Sequence, residues 1–325
     1  TGTNTRYGGA YAIHGGNGLN VSLASEAVNS ASATSNAKGY AYTDGAITEI
    51  TGTLTVTSSG VSTALAETTS GTSFNAIAAG VTVMSATASG EFKAYVRSGK
   101  GKRTAAKNIV VSTTYSASAN AETAQTGPKI DLASVDVNMA TANVTTVAFA
   151  GLDGDGTTGS VDATGDDAAD GITITVTGNV NSAATVAANE YVNLVKCAVN
   201  VLSASLSSEQ YAAIQNTTVG EAGNIVINSY LNVNPAQADA GTITNTGYGS
   251  ATATMVSGGG VSGVDIGVNT ATATNDAKGY AYIKDAAVGS ASERARIKIN
   301  SYGCSLANAS VSDAGSSISI VGAGV

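Results

Sequence analysis

The chain has 325 residues, with 39 glycines, 2 prolines, no tryptophan, 12% charged residues and a formal net charge of −8. So sparse and acidic a charge supplies no basic face for phosphate, which excludes general binding to nucleic acid or to an anionic membrane. The hydrophobic share of 43% rests on alanine and valine, which suits thin stacked sheets better than a broad interior and points away from most enzyme scaffolds.

The opening residues "TGTNTRYGGA" carry neither an initiator Met nor a signal segment, so the chain reads as a mature product or an excised portion of something longer. The single histidine, His14, lies in a glycine-rich stretch. No Gly-x-Ser-x-Gly elbow, His-Glu pair or Cys-His pair accompanies it. The next segment, "GGNGLNVSL" (15–23), half-matches the calcium β-roll nonapeptide, but Asn20 replaces the aspartate and no tandem copy follows. We reject that match.

From here two strand types recur. The first alternates apolar and polar residues: Leu19 to Leu23, then Val81-Thr82-Val83, Val135-Asp136-Val137, Val199-Asn200-Val201 and Val264-Asp265-Ile266. An aromatic patch follows in most copies, and "AKGYAY" appears twice, at 37–42 and 277–282. The fourth patch, Tyr211 to Ile214, is the weakest, and "SSEQYAAIQ" before it allows a short helix over 207–215. The second strand type closes each unit, at Leu54, Ile109, Ile172, Ile225 and Ile297. Alternation at period two, led by β-branched residues, marks half-buried strands.

The irregular spacing of the closing strands rules out a propeller and fits a solenoid, whose loops grow without disturbing the stack. The fold expected is all-β: a single-stranded parallel β-helix, or β-solenoid, with loop insertions. Its degenerate units run approximately 1–58, 59–112, 113–175, 176–228 and 229–325, each about two coils of roughly 20–30 residues. Stacked at ~4.8 Å, such coils make a rod on the order of 60 Å long. The two "AKGYAY" copies then occupy equivalent strands of the first and fifth units. Open β edges at the ends recruit other strands, and the terminal "SSISIVGAGV", alternating Ile318 and Ile320, reads as a strand awaiting a neighbour.

Three further features bear on chemistry. "GLDGDGTTGSVDATGDDAADG" (151–171) gathers Asp153, Asp155, Asp162, Asp166, Asp167 and Asp170, whose oxygens would suit calcium, although the EF-hand order is absent. "KAYVRSGKGKRTAAK" (93–107) gathers Lys93, Arg97, Lys100, Lys102, Arg103 and Lys107, and charge complementarity suggests that it meets the acidic loop of a neighbouring subunit, with Lys100, Lys102, Arg103 and Lys107 at the contact. Cys197 reads as a small buried residue in line with Val195, Val199 and Val201. Its distance from Cys304 along a stacked rod argues against a disulfide. Asp136 and Asp265 are charges within strands, read as outward-facing and too far apart to act together. Threonines in "TGTLTVTSS" and "ITITVTG" read as ordinary outward positions.

The segments "AGNIVINSYLNVNPAQADA" (222–240), "GGVSGVDIGVNTATATNDAKGYAYI" (259–283), "LASVDVNMATANVT" (132–145) and "VNVLSASLSSEQYAAI" (199–214) resemble the repeat region of filamentous-haemagglutinin-like large exoproteins, the leukotoxin-type filamentous adhesins in particular. The resemblance implies a right-handed β-helix, secretion across an outer membrane and display as an elongated surface fibre. Asn234-Pro235 is followed by Ala236, so the Asn-Pro-Asn motif of the family's secretion domain is missing. The expected function is a structural or adhesive extracellular module that self-associates into a filament or continues within a larger chain. A cell-surface glycan is its expected ligand class, and catalysis is not expected. The alternative is a carbohydrate-active β-helix enzyme, a polysaccharide lyase or hydrolase, which requires a groove with convergent charged groups.

Overall fold

The computed structural model describes residues 2–16, 20–125, 127–154, 159–165, 170–187, 190–241, 243, 248–289, 296–313 and 317–324. In chain order the elements are β1 (Gly2–Gly16), β2 (Asn20–Asp44), β3 (Ile47–Ser70), β4 (Ser73–Arg97), β5 (Arg103–Gln125) and β6 (Lys129–Asp153). Then come β7 (Ser160–Ala163), β8 (Gly171–Ala187), β9 (Tyr191–Gln215), β10 (Thr218–Val219), β11 (Asn224–Leu231) and α1 (Pro235–Asp239). The last are β12 (Ser250–Ser257), β13 (Gly260–Asn275), β14 (Lys278–Lys284), β15 (Ala287–Val288), β16 (Arg296–Gly303), β17 (Leu306–Asp313) and β18 (Ser317–Gly324).

Among the described residues the protein is all-β apart from α1, and its strands form two parallel sheets, one of 11 strands and one of 7. The chain shuttles between them. β1, β3, β5 and β8 lie side by side in the first sheet, and β2, β4, β6, β9 and β13 in the second. Each return lays a strand beside the one laid a circuit earlier.

The register aligns the recurring strands. Leu54, Ile109, Ile172, Ile225 and Ile297 stand in one column of the first sheet. In the second sheet Tyr40, Lys93, Phe149, Tyr211 and Tyr280 share a column. The two "AKGYAY" copies are therefore equivalent strands of the first and fifth circuits. The weak fourth patch belongs to the same column, and β9 runs as a strand through Gln215 in place of the helix allowed there. Its side chains alternate too regularly for a helix: Ser208, Gln210, Ala212 and Ile214 all turn inward and are fully buried.

The dimensions differ from expectation. Each unit is one circuit of two long strands, not two short coils. Strands of 25 residues such as β4 and β6 span ~80 Å at ~3.3 Å per residue. Among the described residues six circuits stack, so the outermost lie only about 25 Å apart at ~4.8 Å per step. The molecule is a broad, shallow stack instead of a narrow rod.

Small residues bring the sheets close. Ala64, Ala66, Ala117, Ala119, Ala121 and Ala184 of the first sheet face Ala86, Ala88, Ala140, Ala142 and Ala204 of the second in one buried cluster. The gap is narrow enough for side chains to bond the opposite backbone. The Ser58 hydroxyl donates to the Gly39 carbonyl at 3.0 Å, Thr113 to Phe149 at 2.7 Å and Ser182 to Ala142 at 2.8 Å. These bonds keep buried hydroxyls satisfied, as a dry interior requires.

Where larger residues enter, glycine makes room. Phe92 is fully buried, and a Cβ on Gly60 of the opposing sheet would lie 2.0 Å from its ring. Phe92 stacks on Tyr115 with centroids 5.7 Å apart. The Tyr115 hydroxyl shares a hydrogen bond with Ser208 at 2.9 Å and donates to Gln210 at 3.2 Å. Burial pushes its pKa up to about 12.

Outside this core, α1 is capped by Asn234, whose side chain accepts from the Ala236 amide, with Pro235 in the first turn. The Tyr230 hydroxyl reaches Asp239 at 2.8 Å and its ring stacks on Tyr302. Both cysteines are free thiols.

Candidate functional site

The second sheet changes polarity along its length. From Ala31, Met84, Ala140 and Leu202 onward, inward side chains are buried and mostly apolar, with Ser35, Thr146, Ser208 and Gln210 among them. In the first ten residues or so of the same strands the pattern inverts. Asn29, Thr82, Asn138, Asn200 and Asn269 form one inward column. Ser134, Lys196 and Asp265 form another, and Gly80, Asp136 and Ala198 a third. The outward face of the same stretch is apolar and exposed, with Ile77, Val81, Val135, Val199 and Ile266 all more than a third accessible. Cys197 belongs to this outward face, paired with Val135 and Ile266, so it is not the core residue expected.

A bend sets off this stretch. Ser22, Asn75, Asp131, Asn193 and Ser262 share a column just before it, and side-chain parity shifts between that column and the ones that follow. The bend opens a cleft of about 310 Å³ between the second sheet and the ends of β1 and β3. His14 and Thr69 stand on the wall, and Asn29, Thr82, Asp136 and Asn138 on the floor.

Charged groups converge here. The Lys129 ammonium donates to Asp136 at 2.9 Å. Asp131 is only 3% exposed. Its Oδ1 accepts from the Asn75 backbone at 3.1 Å and side chain at 2.9 Å, and its own amide donates to Asn193 at 3.2 Å. Its Oδ2 is buried with no hydrogen-bond partner. Burial pushes the Asp131 carboxyl above the usual carboxylate range.

The polar floor continues into later circuits. The Asn138 amide donates to Asn200 at 2.8 Å and Asn200 to Asn269 at 2.9 Å. Lys196 lies over the Tyr191 ring, 3.3 Å from its centroid, and the Tyr191 hydroxyl donates to Asp265 at 2.7 Å. Burial lowers the Lys196 pKa. Asp136 and Asp265 thus face inward, not outward, and Lys196 stands beside Asp265 in the circuit between them. Lys129 and Asp131 escaped the sequence reading. Their signal was a charge on each side of Ile130, just ahead of the strand read from Val135.

The acidic and basic loops meet each other within one chain. Asp162 pairs with Arg103, and its Oδ1 accepts from the Gly220 and Glu221 amides at 2.8 and 3.2 Å. Arg103 also reaches Glu221 at 3.3 Å. Lys107 pairs with Asp170 at 3.5 Å and Arg97 with Asp153 at 2.9 Å. Lys100 and Lys102 sit in the turn before β5. Asp155, Asp166 and Asp167 lie outside the described residues. Among the described residues no three carboxylate, histidine or cysteine side chains converge for a metal ion, and the placed aspartates are held by cations and amides.

The "AKGYAY" columns form an outward aromatic ladder. Tyr42 stacks on Tyr95 and Tyr211 on Tyr280, each pair with centroids 5.1 Å apart. Tyr40 donates to Glu91, which pushes the Tyr40 pKa up to about 12. Ile318 pairs with Val261 in the last circuit, and Ile320 lies in the same strand. The chain matches no known family, no curated protein and no solved structure.

Proposed function

We propose that this chain is a structural and adhesive module of the β-solenoid kind, right-handed, displayed outside the cell and not an enzyme. The observation that carries the reading is the unpaired edge on each side of a stack held in register. Among the described residues β1 pairs only with β3 and β2 only with β4, while β16, β17 and β18 each pair on one side. Such edges offer rows of free amides and carbonyls to another parallel strand. A contact between opposite edges is heterologous and propagates without closing.

The exposed apolar columns around Val81, Val135 and Val199 supply a second contact face, of the kind that marks association surfaces. Surface display outside the cell rests on the resemblance of the sequence to exoprotein repeats.

The test is sedimentation velocity with negative-stain microscopy of the purified chain at near-physiological salt. Assembly that grows with concentration, into filaments with an axial repeat of about 25–30 Å (six circuits at ~4.8 Å), is the expected result. A single monomeric species at every concentration overturns the reading.

A further inference from the structure

We propose that the cleft at the bend of β2, β4 and β6 binds a neutral polyhydroxylated ligand, a single sugar residue of a glycan. The site stands independently of whether the chain assembles.

Asp131 supplies an acceptor. Its Oδ2 is withdrawn from water and unpartnered, on a residue that lines the cleft. A buried acceptor left unbonded costs stability, so it is retained where something else supplies the donor. A hydroxyl group is such a donor.

Charge favours a neutral ligand. Lys129 is tied to Asp136, and its ammonium lies close enough to Asp131 to act on that carboxyl. A cationic ligand approaching Asp131 meets this ammonium. An anionic ligand meets two carboxylates. A neutral ligand rich in hydroxyls avoids both penalties.

The rest of the lining adds donors and acceptors. Thr69, Thr72, Ser73, Thr82 and Asn138 offer hydroxyls and an amide, which both donate and accept. The volume of about 310 Å³ is at the small end of ligand pockets. Gly80 keeps the floor open, since a Cβ there would come within 3.0 Å of Asp136 Oδ1.

The experiment is saturation-transfer NMR of the full chain against a panel of methyl hexopyranosides and methyl N-acetylhexosaminides, with methylammonium and acetate alongside. At least one glycoside is expected to bind. Asp131→Asn removes the acceptor and Gly80→Val fills the floor with a residue suited to a strand. Each is expected to weaken binding about tenfold or more, the effect of ~1.4 kcal/mol. Circular dichroism shows which variants remain folded, and Gly80→Val carries the test if Asp131→Asn does not fold. Silence from every glycoside, a response to methylammonium alone, or unchanged glycoside binding in the folded variants overturns the proposal.

Discussion

Arg103 pairs with Asp162 across adjacent strands of one chain, and the same Asp162 carboxylate caps the Gly220 and Glu221 amides. The buried acid therefore ties three consecutive circuits together at their turns. Asp162→Ala leaves two amides without their acceptor and the Arg103 guanidinium with Glu221 alone, and is expected to cost about 1–3 kcal/mol in urea denaturation. Glu221→Ala removes only an exposed arm of the pair and should stay under ~0.5 kcal/mol. Comparable losses in the two variants would show that Asp162 is not the hub. The pairing also predicts that replacing Lys100 and Lys102 leaves assembly unchanged at low salt, because Arg97, Arg103 and Lys107 already hold Asp153, Asp162 and Asp170 within the chain.

Gly60 and Phe92 face each other across the thin core, where a Cβ on Gly60 would strike the ring at 2.0 Å. Gly60→Ala is expected to destabilise by about 1–3 kcal/mol through overpacking. Adding Phe92→Leu should recover part of that loss, because the clash is removed with the ring. Thermal unfolding of the two single variants and the double variant measures the coupling. Simple additivity would mean that the glycine serves some other purpose.

These glycines also explain what the sequence concealed. The closing strands at Leu54, Ile109, Ile172, Ile225 and Ile297 were legible because β-branched residues at period two have few other uses. The coil count was not. Gly60 and Gly90 lie inside strands, where a Cβ would strike the Phe92 ring, so glycine in this chain does not mark the end of a coil. Alternation also shows that a strand has two faces without showing which is covered. Val135-Asp136-Val137-Asn138 reads as valine in, aspartate out, and the bend before it reverses that. The cleft was thus hidden behind a correct strand assignment, while Asp136 and Asp265 were visible as charges out of place. The pairing of the basic and acidic loops was legible as charge complementarity, but not that it closes within one chain: Arg103 and Asp162 are distant in sequence and adjacent only once the circuits stack.

Asp131 carries a pH dependence. Its folded pKa is raised by burial, so the folded state holds this proton more tightly than the unfolded chain does. Its contribution to stability is present in acid and is lost as pH rises through the folded pKa. Asp131→Asn should therefore stabilise the protein at neutral pH by about 1–2 kcal/mol, the order of an unsatisfied buried acceptor. The new amide has a partner at hand, since β6 and β9 already support an Asn138-to-Asn200 ladder, and Asn193 stands beside residue 131. The advantage should shrink as pH falls below the carboxylate range. A variant less stable than the parent at neutral pH would show that Asp131 Oδ2 has a partner within the fold.

The outward columns of the inverted stretch test adhesion without touching the core. Val81 and Val199 are 38% and 37% exposed and share one column. Lysine at both positions keeps the aliphatic stem on the sheet and places charge in water. Stability should change by less than ~1 kcal/mol, as for other surface substitutions. Lateral association, read as the width of filaments and the concentration dependence of sedimentation, should fall. Retention of single-stack filaments in this variant would separate the two contacts: edges join circuits end to end, and the valine face joins stacks side by side. If bundling persists unchanged, the apolar face is not the lateral contact, and the tyrosine columns built by the repeated "AKGYAY" become the next surface to alter.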